Sequence, residues 1–405
     1  MATWPAKRMD ELCEITSSKR IFAADYVSEG VPFYRGREIT EKYKGNLDVS
    51  TELFITEEKF SEIERKFGAP KSGDLLLTSV GTLGSVYVVK PGDRFYFKDG
   101  NLTWFRNFQE LDSRFLYYWL GSPQGKAELQ KATIGSSQSA FTIVLLKGME
   151  MELPPLPVQR RIAGILSAYD ELMENSQRRI RLLEAMVRAL YREWFVHFRL
   201  PGHEKLPRVA SPLGDIPQGW EVRTVKDVAK VTYGFPFASN KFNTDGIGTP
   251  VIRIRDILDG SINTLTDEVA EPKYHIKNGD ILVGMDGDFH MCIWSSGHAF
   301  QNQRVAKFES NGEIGNYHLF LALELPIQTW NKSIVGTTVA HLGDMHIKTI
   351  QIVWPPAKIL AKAREVLEPM SQQIIDLKRQ IQNLRRTRDL LLPRLLSGQV
   401  CLAEN

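Results

Sequence analysis

Asn302-Gln303-Arg304 sets amide side chains beside a guanidinium. Those are the groups that bind adenine and guanine edges through two hydrogen bonds at once. Thr78-Ser79-Val80-Gly81-Thr82-Leu83-Gly84 follows a β-like run, and Gly284-Met285-Asp286-Gly287-Asp288-Phe289-His290 does the same later in the chain. Both segments read as turns with short polar side chains and exposed backbone amides. Such turns can approach phosphates closely and can present hydroxyls or carboxylates to base edges, but a plain hairpin loop has the same composition. Arg35 and Arg37, and again Arg253 and Arg255, are spaced two apart. On strands each pair would share one face, where either DNA contact or simple solvation would account for them.

Catalytic constellations are not found. The chain has no GxxxxGK[ST] phosphate loop and no Gly-x-Ser-x-Gly nucleophile elbow. It also has no Asn-Pro-Pro-aromatic tetrapeptide of the kind that positions a base amino group for methylation. Asp256 with Glu271-Pro272-Lys273 has the residue types of a nuclease metal site, but Pro272 would fall in the strand such a site requires. His341 and His346 are five apart, one more than the spacing that places two ligands on one helix face, and read as loop or surface histidines. The expectation is a chain with neither a catalytic site nor a bound metal.

The elements that position these loops come from a 405-residue chain, long enough for two or three domains. It is 43% hydrophobic and 24% charged, which excludes disordered and collagen-like classes. No apolar run is long enough to span a bilayer, and MATWPAKRMDEL lacks the apolar core of a secretory signal. Cys13, Cys292 and Cys401 lie too far apart for a disulfide framework or a metal knuckle. A cytoplasmic protein with no membrane association is expected. The net charge of +3 does not announce nucleic-acid binding. Residues 157–199 carry 8 basic and 5 acidic side chains and residues 356–405 carry 9 and 5, whereas residues 210–355 carry 12 and 16. Any DNA contact in that last region must come from local patches.

The chain repeats itself. Val31-Pro32-Phe33-Tyr34-Arg35-Gly36-Arg37-Glu38-Ile39 matches Thr249-Pro250-Val251-Ile252-Arg253-Ile254-Arg255-Asp256-Ile257 at an offset of 218. Lys71-Ser72-Gly73-Asp74-Leu75-Leu76-Leu77 matches Lys277-Asn278-Gly279-Asp280-Ile281-Leu282-Val283 at 206. Ile134-Gly135-Ser136-Ser137 and Pro154-Pro155 match Val335-Gly336-Thr337-Thr338 and Pro355-Pro356 at 201. Each copy opens with β-rich runs broken by Gly, Asn and Asp and closes with a long helix. The first helix carries a seam at Ile162, Ile165, Tyr169, Leu172, Ser176, Ile180, Leu183, Val187, Leu190 and Trp194. The second carries Ala363, Val366, Met370, Gln373, Leu377, Ile381, Leu384, Arg388, Leu391 and Leu395. Steps of three and four alternate with one extra four, a coiled-coil period with a stutter. Each helix can bury this seam in the other. Gln373 and Arg388 should loosen the packing, and Pro369 should kink the second helix or delay its start.

Several stretches resemble the specificity subunit of type I restriction-modification systems. The most specific are Leu153-Pro154-Pro155-Leu156-Pro157-Val158-Gln159-Arg160-Arg161-Ile162 and Asp389-Leu390-Leu391-Leu392-Pro393-Arg394-Leu395-Leu396-Ser397-Gly398. Gly234-Phe235-Pro236-Phe237 and Gly284-Met285-Asp286-Gly287-Asp288-Phe289 add to the likeness. The second copy departs from it with Val339 where the first has Gln138. The resemblance implies an α+β chain with two mixed α/β target recognition domains, at 1–152 and 216–353. It places a central spacer helix at 153–199, a linker at 200–215 and a distal spacer helix at 354–405, with the two helices packed as an antiparallel coiled coil. It implies a non-enzymatic subunit that reads an asymmetric bipartite site in double-stranded DNA. Two methyltransferase subunits and restriction motor-nuclease subunits would dock on it, and those partners would hold S-adenosylmethionine, ATP and Mg for adenine methylation or cleavage.

The expected DNA contacts are Lys19, Arg20, Arg35, Arg37, Thr78, Ser79, Thr82, Lys98, Ser136, Ser137 and Gln138 in the first copy. In the second they are Lys241, Arg253, Arg255, Asp286, Asp288, Gln303, Arg304, Thr337 and Thr338. The expected helix interface is Ile165, Leu172, Ile180, Leu183, Leu190, Val366, Leu377, Ile381, Leu384 and Leu391. Two rival readings are a stand-alone sequence-specific DNA-binding protein and a structural coiled-coil scaffold.

Overall fold

The computed structural model describes residues 4–46, 49–135, 139–202, 206–260, 262–333 and 340–400. It divides into two compact units, Met1–Glu174 with Leu384–Asn405, and Asn175–Asn383. Both long helices contribute residues to both units.

In the first unit a four-stranded antiparallel sheet runs in the order Glu14–Thr16, Leu102–Arg106, Leu75–Thr78, Val86–Val88. In the second the same order is kept by Ala229–Tyr233, Val305–Ser310, Ile281–Gly284 and Met291–Ile293. The central strands Leu75-Leu76-Leu77 and Ile281-Leu282-Val283 are buried throughout, which is why they read as continuous apolar runs rather than alternating ones. A mixed sheet lies beside each. It has three strands in the first unit, where Val31–Tyr34 pairs parallel with Tyr96–Phe97. In the second it has five, with Thr249–Ile252 parallel to Ala299–Gln301. Each unit also closes with a two-stranded pairing, Ala6–Arg8 with Glu150–Glu152 and Glu221–Thr224 with Gln351–Trp354. Arg208–Val209, in the expected linker, pairs with Ile216–Pro217 at the start of the expected second domain.

The long helices span Leu156–Tyr191 and Ala357–Leu396. The second starts directly after Pro355-Pro356 and runs on through Pro369, so its start is not delayed. Within the second unit Glu184 pairs with Lys378 at 3.0 Å, while Pro201 accepts from Lys362. The partner number falls as the residue number rises, so the helices are antiparallel. Within the first unit Asp170 pairs with Arg388 at 2.6 Å, and Ile162, Ala163 and Leu166 share a core with Leu395 and Leu396.

The seam differs in phase from the sequence expectation. Leu172 is 49% and Val366 37% exposed, whereas Met173 and Leu367 are buried. Leu166 and Ile374 are buried, and Gln373 is exposed. With these exchanges the seams become 162, 166, 169, 173, 176, 180, 183, 187, 190, 194 and 363, 367, 370, 374, 377, 381, 384, 388, 391, 395. Fours and threes then alternate strictly, so neither helix has a stutter, and Gln373 loosens nothing. The two apolar neighbours Leu172 and Met173 made either phase possible by type, and the unbranched, adaptable Met takes the buried position. Ile180, Leu377 and Ile381 are buried and Leu183, Leu190, Leu384 and Leu391 half-buried on this seam, whereas Ile165, also half-buried, lies off it beside buried Leu166. Arg388 is satisfied rather than disruptive. Its guanidinium bonds Asp170, whose other oxygen accepts from the Tyr118 hydroxyl at 2.6 Å. Hydrogen bonds donated to the carboxylates of Asp170 and Asp389 raise the Arg388 pKa despite its burial.

Candidate nucleic-acid interface

In both units the polar loop leaves the buried central strand and is gathered by the same backbone bonds. In the first, Ser79 N–H donates to the Asn101 carbonyl at 2.8 Å, Phe141 N–H donates to Ser79, and Val80 bridges Ala140. In the second, Met285 N–H donates to Arg304 at 3.0 Å, Leu342 N–H donates to Met285, and Asp286 bridges His341. Gly81 and Gly287 occupy matching places with φ of 81° and 71°, a left-handed turn where a side chain would be strained. The repeat therefore holds at the level of hydrogen bonds, and Val80, Asn101 and Ala140 are the counterparts of Asp286, Arg304 and His341.

The side chains on these matched frames differ. In the second unit Asp286 lies between two basic groups. One oxygen is 2.6 Å from His341 Nδ1 and the other 3.3 Å from Arg304 Nε. Asp288 and Gln303 are exposed beside the cluster. The segment 302–304 is held from below. Buried Gln301 donates to the carbonyls of Thr232 at 2.7 Å and Val305 at 2.6 Å, and Phe235 bridges Asn302. Gly234 lies so close that a Cβ there would be 1.8 Å from the Asn302 carbonyl oxygen. Gly234-Phe235-Pro236-Phe237 is thus a support for this segment, its Phe237 ring stacked on Phe300 at 5.4 Å.

Other sequence-expected contacts are placed differently. Thr78 and Ser79 are buried and spend their hydroxyls inside the turn. Thr78 Oγ1 donates to the Thr82 carbonyl and accepts from Ser85 N–H, and Ser79 Oγ meets Thr103 Oγ1 at 2.7 Å. They shape the loop instead of facing outward; Thr82 is exposed at its tip. Arg35 and Arg37 are not alternate strand residues. The strand ends at Tyr34, Arg35 caps a helix, and Arg37 lies in its first turn. Arg253 and Arg255 likewise follow the strand end at Ile252 and lead into a short helix at Asp256. A buried acid explains the recurrent Arg-x-Arg-acid pattern. Glu38 accepts from the backbone N–H and guanidinium of Arg35 at 2.8 and 3.1 Å and from Arg37 at 3.0 Å. Burial would push the Glu38 carboxyl up, but the Arg35 bonds outweigh it and hold the group below its ordinary value. Asp256 accepts from Arg253 N–H at 2.8 Å, with Arg255 3.8 Å away.

Lys19, Arg20, Lys98 and Lys241 are exposed, Arg20 pairing with Asp99 at 2.8 Å. Ser136, Ser137, Gln138, Thr337 and Thr338 lie outside the described residues. Sequence reasoning set His341 aside, and only its match to Ala140 at the repeat offset of 201 could have drawn attention to it. Among the described residues no acidic, His or Cys group could hold a metal, and no helix is long and apolar enough to cross a membrane. Burial pushes the thiols of Cys13 and Cys292 up to about 12, which keeps them in the protonated form near neutral pH.

The family described as type I restriction modification DNA specificity domain matches residues 1–185 and 217–385. The chain is similar to the Type I restriction enzyme MjaIX specificity subunit of Methanocaldococcus jannaschii, at 25% identity over 99% of this chain and 94% of that one. It is also similar to the Type I restriction enzyme EcoBI specificity subunit of Escherichia coli, at 30% identity over 50% of this chain and 44% of that one. In fold it resembles the crystal structure of a type I restriction-modification S subunit from M. genitalium, with a TM-score of 0.64 at 18% identity, covering 97% of this chain and 96% of the other.

Proposed function

Because the chain belongs to the type I restriction modification DNA specificity family and is a DNA sequence-recognition subunit, we propose that its two units read the two halves of an asymmetric, split target. The carrying observation is the pair of matched loop frames with unlike side chains, Val80, Asn101 and Ala140 against Asp286, Arg304 and His341. One backbone frame keeps the geometry of approach, and a change of side chains changes the base edges it fits. The antiparallel helices act as the spacer between half-sites. Their outer faces receive two methyltransferase subunits, a reading supported by the exposed apolar pair Leu182 and Met186, four apart on the central helix. Restriction subunits complete the assembly. S-adenosylmethionine, ATP and Mg belong to those partners, as do adenine methylation and cleavage.

The test is to co-express the chain with its methyltransferase subunit in cells lacking other adenine methylation and to map modified adenines across the genome. Two unlike half-sites separated by unread bases are expected. A contiguous or palindromic motif would refute the reading, and so would sequence-specific binding at full strength by the chain alone.

A further inference from the structure

We propose that Arg304 reads a guanine in the half-site of the second unit, with Asp286 and His341 as the residues that position it. This rests on the recognition reading above. Asp286 lies 3.3 Å from Arg304 Nε, a side-on contact that leaves the end-on edge between the two Nη groups to act as the fork. That fork is the donor pair that matches guanine O6 and N7. The Arg304 side chain is 55% exposed while Asp286 is 28% exposed, so the guanidinium is the more accessible partner of the pair. His341 holds the far oxygen of Asp286 at 2.6 Å, which limits the carboxylate to one orientation.

The same arrangement disfavours a phosphate role. A phosphate contact needs net positive charge, and Asp286 offsets that of Arg304, with exposed Asp288 nearby adding more negative charge. A fixed fork with little net charge suits a base edge, where geometry counts for more than field. The first unit has Asn101 in the matching position, flanked by Val80 and Ala140, so the guanine reader belongs to one half-site only.

The experiment maps methylated sites for the complex of chain and methyltransferase subunit carrying the natural chain, Arg304→Ala, Arg304→Lys or Asp286→Asn. The natural motif should contain a G·C pair that Arg304→Ala relaxes, its preference there falling roughly ten- to hundredfold while other positions hold. Arg304→Lys should restore it only in part, because an ammonium can donate to O6 and N7 but lacks the planar fork. Asp286→Asn should relax the same position by a smaller factor. Full guanine preference in Arg304→Lys, relaxation at an A·T pair, or an equal loss at every position with Arg304→Lys would overturn the proposal. Should the natural chain itself direct no split motif, the recognition reading fails instead, and the two failures are distinguished by that arm alone.

Discussion

Replacing Met173 by Asp should destabilise the chain far more than the same change at Leu172, its neighbour. Met173 is 7% exposed and Leu172 49%. Burying a Met side chain is worth about 1.5–3 kcal/mol. A carboxylate left in that position adds a desolvation penalty, so Met173→Asp should cost about 3–5 kcal/mol in total. At Leu172 the aspartate reaches water, and only part of a leucine's burial is lost, about 1 kcal/mol. For a cooperative unit of this size each kcal/mol corresponds to about 2–4 °C in melting temperature. Met173→Asp should therefore lower it by on the order of 10 °C, and Leu172→Asp by about 3 °C or less. Calorimetry of the isolated chain measures both without contributions from partners. Met173→Ala, expected to cost about 2–4 kcal/mol, separates lost packing from buried charge. If Leu172→Asp is the more damaging change, the strict four-three seam is wrong.

Three further outcomes follow. His318 is buried against Tyr191 and Phe195, and burial lowers its pKa to about 4. The unfolded chain takes up the proton first as pH falls below about 6.5, so stability is complete above that value and declines toward pH 4 by up to about 3 kcal/mol; denaturant titrations of His318→Gln should lack this component, and an unchanged pH slope would exclude His318 as its source. Gly234→Ala puts a Cβ 1.8 Å from the Asn302 carbonyl oxygen, so the 302–304 segment must shift; methylation mapping should show loosened discrimination in one half-site with the other intact, and an unaltered motif would show that this segment does not read bases. Seven residues inserted after Arg179 and seven after Arg379 keep the seam in phase and add about 10 Å, or roughly three base pairs, to the spacer; an active variant that keeps the natural gap would rule out the helices as the ruler.

Much of this architecture is determined by the sequence alone, because it depends on patterns that local chemistry imposes. The buried central strands show as Leu75-Leu76-Leu77 and Ile281-Leu282-Val283, and the helix starts show as two Pro-Pro pairs. The repeat is legible because Lys-x-Gly-Asp and Arg-x-Arg-acid serve the same turns in both copies. Asp74 and Asp280 accept from Lys71 and Lys277 N–H at 2.9 Å, and Glu38 and Asp256 hold the arginines beside them. What the sequence could not decide is which member of a neighbouring pair faces inward. Leu172 and Met173 are both apolar, and a shift of one residue turns a helix by about 100°; only the partner helix selects the phase. Nor could it separate the hydroxyls that build a loop from the side chains that a loop displays. Thr78 and Ser79 have the types of base-reading residues, yet their oxygens are consumed by Thr82, Ser85 and Thr103. Asp286, Arg304 and His341 lie 18 and 37 residues apart along the chain. Their meeting depends on strand pairing and a backbone bridge, long-range contacts that no local pattern encodes, so the cluster exists only in the folded protein.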